Sequence, residues 1–341
     1  MAKDGRDLTP FFEPKSVAII GASAVPGKAG HELVRNIQAN GFPGRLHPVN
    51  PKGGEILGLP VSPSIALLPD GVDLALVVLP AEATPAAVRE CAAKGIRHVV
   101  CMAGGFAEVD EAGTRIQQEL VEIVRETGIR LMGPNISGHT STPAAFTSAF
   151  FPLGKIRRGT VSIIAQTGNF ATHTMKYILS GEHHGVCRVI GLGNKVDLDE
   201  TDALEYLADD SETAAILLYL ESFKRPARFL EVARAVTRRK PVVILKSGAT
   251  EAGRQAAVAH TAALAAEDRV VDGMLRQAGI VRVTDYTHLL LALKALSMLP
   301  LPAGNRVSFL APSGALLVVL SDLCVRLDLD VPAVRPETVA R

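Results

Sequence analysis

The sequence predicts an α/β fold made of two successive doubly wound units followed by the start of a third. Three observations carry that prediction. Short runs of Val, Ile and Leu without polar alternation recur along the chain, which suits parallel strands covered on both faces. Amphipathic stretches of helical period separate them, giving the alternation of a βα architecture. Glycine-containing turns follow the ends of several runs, where open parallel sheets place ligands.

Taken in order, the runs at 16–20 (SVAII), 74–79 (LALVVL), 98–102 (HVVCM) and 129–133 (IRLMG) read as buried strands. Helices are expected at Gly30–Asn40, Thr84–Lys94 and Glu111–Thr127. From Ile136 to Gly159 the rhythm breaks, with Pro143, Pro152, Gly138 and Gly154 among Ser and Thr, as in an ordered crossing between domains. It restarts with strands at 161–165, 187–193, 214–220 and 241–246. Their helices fall near Asn169–Ser180, Ala203–Asp209, Pro226–Arg238, Arg269–Gly279 and Tyr286–Leu299. PLPAG at 300–304 reads as a linker, RVSFL at 306–310 as a strand, and the stretch to about Leu327 as a helix. A lone βα unit cannot bury its faces, so the third domain is expected to be truncated or completed by another chain. The expected boundaries are 1–140, 141–302 and 303–341.

Composition narrows the function. The 341 residues correspond to about two domains. With 48% hydrophobic and 21% charged residues the chain can fill more than one core. Lys and Arg number 36 against 35 Asp and Glu, a net charge of +1, which argues against nucleic acid or an anionic membrane as the main partner. Aromatic residues are 4% and Trp is absent, so base-stacking platforms are also disfavoured. The four cysteines form no CxxC pair and no metal-ligand spacing with His, and they read as reduced thiols. No apolar run approaches the roughly 18–20 residues of a spanning helix, and the first residues carry no apolar signal core. A cytoplasmic location is expected.

Six stretches carry possible chemistry. The turn Gly21–Gly30 (GASAVPGKAG) follows a strand and opens a helix, so its N–H groups can hold a phosphate, with Lys28 beside them. Its spacing is not GxGxxG, and Pro48-Val49-Asn50-Pro51 stands where an acidic ribose-binding residue would end the second strand, which disfavours NAD. A plain tight turn is the alternative. Gly133-Pro134-Asn135-Ile136-Ser137-Gly138 lies beyond the last strand of the first unit, as a ligand loop or an ordinary Pro/Asn turn. Gln166-Thr167-Gly168-Asn169 can cradle an anion at a helix N-terminus, or simply cap that helix through Thr167. Gly193-Asn194-Lys195 fits the same cleft, or is a loop with a solvated lysine. Glu221 ends an apolar strand and can orient a histidine, or is a solvated carboxylate beside Lys224 and Arg225. His260 lies in a long small-residue segment after the strand ending at Lys246. It can serve as a nucleophile toward phosphoryl groups or be an ordinary loop histidine.

In this order the motifs resemble the NDP-forming acyl-CoA synthetases, the superfamily that includes succinyl-CoA ligase α subunits and ADP-forming acetate–CoA ligases. The resemblance runs from about Phe11 onward. It is carried by GASAVPGKAG at 21–30, PVNPK at 48–52, GPN-x-x-G at 133–138, QTGN at 166–169, GNK at 193–195, YLES at 219–222 and KSGATEAGRQAAVAHTAALA at 246–265.

The resemblance implies a Rossmann-like CoA-binding domain, a flavodoxin-like ligase domain and the beginning of a second ligase-like domain. Gly21, Ser23, Gly27 and Lys28 would hold CoA phosphates, with Val49, Asn50, Pro51, Lys52, Pro80 and Asn135 completing the CoA site. Gln166, Thr167, Gly168, Asn169 and Asn194 would bind the phosphoryl group, His260 would carry it, and Glu221 would orient His260. It further implies a carboxylic acid substrate, an ATP-grasp subunit or domain outside this chain that binds ATP or ADP with Mg²⁺, and a homo- or hetero-oligomer. No metal site is expected in this chain. Two alternatives remain at this stage. One is a CoA-binding regulatory or protein-acetyltransferase-associated module without phosphoryl transfer, which the retained His260 opposes. The other is a nicotinamide-binding Rossmann protein.

Overall fold

Strand β1 (Ser16–Ile20) shows how the sequence builds the first sheet: all five residues are buried. Val17 and Ile19 face one core and Ala18 and Ile20 another. That is the two-sided burial of a central strand, with successive side chains on opposite faces. The computed structural model describes residues 7–151, 154–179, 184–253, 255 and 267–339. The chain divides into two units, Met1–Met298 and Leu299–Arg341.

β1 pairs in parallel with β2 (Arg45–Val49). A small hairpin follows, β3 (Glu55–Ile56) and β4 (Leu59–Pro60). β5 (Leu74–Val77), β6 (His98–Cys101) and β7 (Arg130–Met132) complete a parallel sheet of order β2-β1-β5-β6-β7. The short helix α1 (Thr9–Phe12) precedes β1, and α2 (Ala29–Ala39), α3 (Thr84–Lys94) and α4 (Glu111–Thr127) connect the strands. Asp110 fixes the start of α4 by accepting from Gly113 N–H at 2.8 Å. Strand order reverses between β1 and β5, so their carboxyl ends flank a crevice.

The second sheet repeats this logic. β10 (Val161–Ala165), β11 (Arg188–Gly191), β12 (Ala215–Leu220), β13 (Val242–Lys246) and β14 (Val281–Val283) are parallel, with order β14-β13-β12-β10-β11. Its reversal lies between β10 and β12. Helices α5 (Gly168–Leu179), α6 (Glu200–Asp209) and α7 (Pro226–Val236) follow β10, β11 and β12, and helices Asp268–Ala278 and Tyr286–Met298 flank β14 in sequence.

The segment expected to be only a crossing also carries β8 (Thr140–Ser141) and β9 (Phe146–Thr147). They add an antiparallel edge to β11, making the second sheet mixed. Two-residue strands among Gly, Pro, Ser and Thr leave no periodic signal; the edge of β11 supplies their partners.

The expected strand at 306–310 does not form. Only Arg306 pairs, as an isolated bridge to Asp330. A strand persists where its backbone groups find a ladder, and along RVSFL no second strand supplies one among the described residues. The helix expected there is present as Gly314–Arg326.

The core of the first unit has three layers. One layer is common to both sheets: Val17, Ile19, Leu74 and Leu76 join Ile164, Ile190, Ile216 and Leu218 in a single apolar cluster. Separate clusters cover the other face of each sheet. Polar ties reinforce the shared layer. Asn36 of α2 donates to the carbonyls of Ala149 and Phe151 at 2.7 and 2.8 Å. The buried Arg188 guanidinium donates to Asp210, Ser141 and Glu13. The two sheets are thereby held in fixed relation.

Candidate functional site

A cavity of about 540 Å³ opens where the loops beyond the two sheets meet. Val78, Leu79 and Pro80 after β5, and Met102, Ala103 and Gly104 after β6, supply one side. Gln166, Thr167 and Gly168 after β10, and Gly193 and Asn194 after β11, supply another. Asn135, Ile136 and Ser137, beyond β7, lie between them, and Ala29 and Phe150 complete the lining. Pro80, Asn135, Gln166, Thr167, Gly168 and Asn194 of the expected site thus share one cavity.

Local chemistry explains how these loops come so close. Gly193 has φ of +58°, and a Cβ there would stand 1.9 Å from the Pro134 carbonyl, so only glycine fits. Asn194 N–H donates to Pro134 O at 3.0 Å and Val196 N–H to Gly133 O at 3.1 Å, stitching the two loops. A Cβ on Gly168 would meet Ser137 Oγ at 2.2 Å, so glycine is required at the head of α5 as well. That packing presents the N-terminus of α5, with its positive dipole end, at the cavity.

Side chains then lock the floor. Asn135, at φ +61°, donates through Nδ2 to Asn194 Oδ1 at 3.3 Å. Asn194 Nδ2 donates to Glu108 Oε2 at 2.6 Å and Gln117 Oε1 at 2.8 Å. Glu108 Oε1 accepts from Gly105 and Phe106 N–H. Burial works to raise the Glu108 pKa, but the bonds from Asn194 and the backbone outweigh it and keep the carboxyl below its ordinary value.

Gln166 is 3% exposed and bridges the reversal point of the second sheet. Its Oε1 accepts from Glu221 N–H at 2.9 Å and Ser222 N–H at 3.0 Å. Glu221 is buried rather than solvated, beside Tyr219, whose hydroxyl interacts with Ser247 and Glu221. Burial first, then Glu221, raises the Tyr219 pKa. Ser247 N–H donates to Leu220 O at 3.0 Å, so the segment leading toward residue 260 leaves the sheet next to Glu221. Lys246, at the end of β13, has its pKa lowered by burial first and then by Arg282. His260 itself lies outside the described residues, as does most of its segment. Asn169 lies in the first turn of α5.

The first loop group surrounds the reversal of the first sheet and reaches the cavity through Ala29, while Gly21, Ser23, Gly27, Lys28, Val49, Asn50, Pro51 and Lys52 lie outside its lining. Gly21 and Ala22 N–H groups donate to Val49 O at 3.1 and 3.2 Å. Ser23 Oγ accepts from Val25 N–H at 3.1 Å, and Gly27 N–H donates to Glu32 Oε1 at 3.1 Å. Lys28 is the exposed N-cap residue of α2. Asn50 is occupied locally: Nδ2 donates to Ala22 O at 2.8 Å and Oδ1 accepts from Lys52 N–H at 2.9 Å. Pro51 and Lys52 are exposed. The residues thus form an open, preorganised turn against a helix N-terminus, with Lys28 at its rim. The N–H groups of Gly21, Ala22 and Gly27 are already bonded within the chain, so what this turn offers an anion is the N-terminus of α2 and Lys28.

The sequence reading missed Glu108, Gln117 and Phe150, which carry no local motif, and named Ser137 only as part of the Gly133–Gly138 stretch. It also left Lys195 open between cleft and solvent; the structure buries it. Among the described residues no cluster of three or more His, Cys, Asp and Glu stands ready to hold a metal. No described helix is long and apolar enough to cross a membrane.

Comparison with known proteins agrees with this geometry. Residues 15–139 match the CoA binding domain family and residues 158–296 the succinyl-CoA ligase like flavodoxin domain family. The chain is 40% identical over 317 residues to acetate–CoA ligase [ADP-forming] II of Archaeoglobus fulgidus, covering 93% of this chain and 47% of the relative. It is 39% identical to the alpha subunit of acetate–CoA ligase [ADP-forming] I of Pyrococcus furiosus, covering 92% of this chain and 69% of the subunit. It therefore spans about half the length of the single-chain relative and about two thirds of the separate alpha subunit. The solved acetyl-coenzyme A synthetase 1 of Ca. Korarchaeum cryptofilum, in complex with phosphate and ADP, superposes with a TM-score of 0.90 at 32% identity, over 96% of this chain and 70% of that one. On its two domains, its shared cleft and these similarities, the chain belongs to the family of ADP-forming acetate–CoA ligases.

Proposed function

We propose that this chain supplies the CoA site and the phosphohistidine of an ADP-forming acyl-CoA synthetase. The observation that carries the reading is the single cavity joining the reversal points of a CoA-binding sheet and a ligase sheet. In the thioester-consuming direction, phosphate attacks the acyl carbonyl of acyl-CoA, the C–S bond breaks, and acyl phosphate and CoA form. His260 then attacks phosphorus and the carboxylate leaves. Glu221 accepts a hydrogen bond from the imidazole and supports the charge it develops. The N–H groups at the head of α5, with Gln166, Thr167 and Asn194 around them, stabilise the phosphoryl oxygens. Splitting the reaction through two covalent intermediates replaces one hard step with easier ones. The reverse sequence makes the thioester from acid, CoA and ATP.

The length of the relatives beyond this chain supports an ATP-grasp subunit or domain as partner, and Mg²⁺ with the nucleotide is assigned to that module. There the metal would neutralise phosphate charge. Relatives named for acetate and for 4-hydroxybutyrate support a carboxylic acid substrate. The domain boundaries proposed for this function remain 1–140, 141–302 and 303–341.

The test is incubation with labelled phosphate and a panel of acyl-CoA thioesters, with His260→Asn as control. Acid-labile, base-stable label on the wild-type protein alone is expected, and the thioester that yields it identifies the acyl group. Equal label on His260→Asn, or none on either protein while CoA still binds, would overturn the reading in favour of a CoA-binding regulatory module.

A further inference from the structure

Lys195 stands outside the cavity lining, yet it follows Gly193-Asn194 and bonds Gln166, all of which line the cavity. It lies beyond β11, with its backbone in the left-handed region at φ +55°. A lysine is strained there, and the surroundings hold it in place. Its side chain is 5% exposed. Nζ lies 2.9 Å from Glu200 Oε2, 2.9 Å from Ser222 O, 3.2 Å from Ser222 Oγ and 3.2 Å from Gln166 Oε1. One ammonium thus ties the turn after β10, the turn after β12 and the start of α6 to its own loop after β11. Gln166 Oε1 is the junction, since it also accepts from Glu221 and Ser222 N–H.

Glu200 is fully buried, and its other oxygen accepts from Lys224 N–H at 2.7 Å. It balances the lysine charge, so Lys195 does not act as a bare positive potential. Stability does not account for the pair either, because a buried ion pair is often replaceable by apolar residues without loss. What apolar residues cannot supply is a rigid three-way donor that fixes the relative positions of Gln166 and Glu221.

We propose that Lys195 is a positioning residue: its ammonium sets the Gln166–Gly168 turn against the Glu221–Ser222 turn, in the geometry that phosphoryl transfer requires. This rests on the function proposed above. The test compares wild type, Lys195→Met and Lys195→Met/Glu200→Gln. Met keeps the stem length. Gln keeps an acceptor for Lys224 N–H while removing the charge left unpaired. Melting temperature, CoA affinity and the rate of phosphohistidine labelling are measured on each.

Lys195→Met is expected to lower the melting temperature and to slow labelling about a hundredfold, as small displacements in a preorganised site do. The double variant should regain the melting temperature and keep wild-type CoA affinity, yet remain slow. A double variant that labels at the wild-type rate, or that loses CoA affinity together with labelling, would overturn the proposal, as would a Lys195→Met protein labelled at the wild-type rate. Absence of label on wild type would instead overturn the functional reading, and this inference with it.

Discussion

His139 is 1% exposed, with Nε2 2.6 Å from Phe11 O, to which Nε2–H donates, and Nδ1 2.7 Å from Ser148 Oγ. A proton on the second ring nitrogen would place a charge in the core. Burial accordingly lowers its pKa from 6.5 to about 4, with the Phe11 carbonyl opposing. The folded-state value lies below the unfolded one, so the unfolded chain binds more protons in between. The stability from this site is complete above pH 6.5 and is lost as pH falls toward 4, up to about 3 kcal/mol. His47 and His98, also lowered chiefly by burial, act in the same direction. The urea midpoint should therefore fall between pH 7 and pH 4.5, less steeply in His139→Gln. At the site, Glu221→Gln should slow phosphohistidine formation about a hundredfold while CoA affinity, measured by calorimetry, stays at the wild-type level. Glu221 was legible as a residue ending an apolar strand. Its burial and its tether to Gln166 were not, because both depend on which strand lies beside β12.

At the scale of elements, the largest departure from expectation is the segment between the sheets. It reads as a crossing, yet it supplies an antiparallel edge to β11 and two carbonyls that α2 holds through Asn36. Replacing Asn36, which is 0% exposed, with Leu would strand both carbonyls. The expected loss is about 1–3 kcal/mol, read by chemical denaturation. The helices were far more legible. Thr84–Lys94 and Glu111–Thr127 coincide with the expected bounds, since amphipathic period and following glycines mark them in the sequence itself. The failed strand at 306–310 makes the converse point: apolar composition alone does not make a strand where a ladder is missing.

At the scale of the molecule, the apolar layer shared by both sheets governs behaviour. Domain boundaries drawn at residue 140 suggest two independent folding units, but Ile19 and Leu218 belong to one cluster. Leu218→Ala should cost about 2–5 kcal/mol. It should also loosen both sheets together, so hydrogen exchange in β1 would rise along with that in β12. For the unit Met1–Met298, calorimetry should show both sheets melting in one transition. Exchange that accelerates in the second sheet alone would contradict a common core.

By itself the sequence determined the α/β class, most of the core strands and helices, and the loops that carry chemistry. Those properties are local: hydrophobic period, helix boundaries and glycine turns are written within a few residues of each other. Only the tertiary structure decided that β10 and β12 are neighbours, so that Gln166 bonds Glu221 and Ser222, and that Gly193 lies against Pro134. Only it decided that Lys195 is enclosed and paired with Glu200. Strand order and the packing of one sheet on another are set by the burial of surfaces far apart in the chain, and no local pattern encodes which surfaces meet.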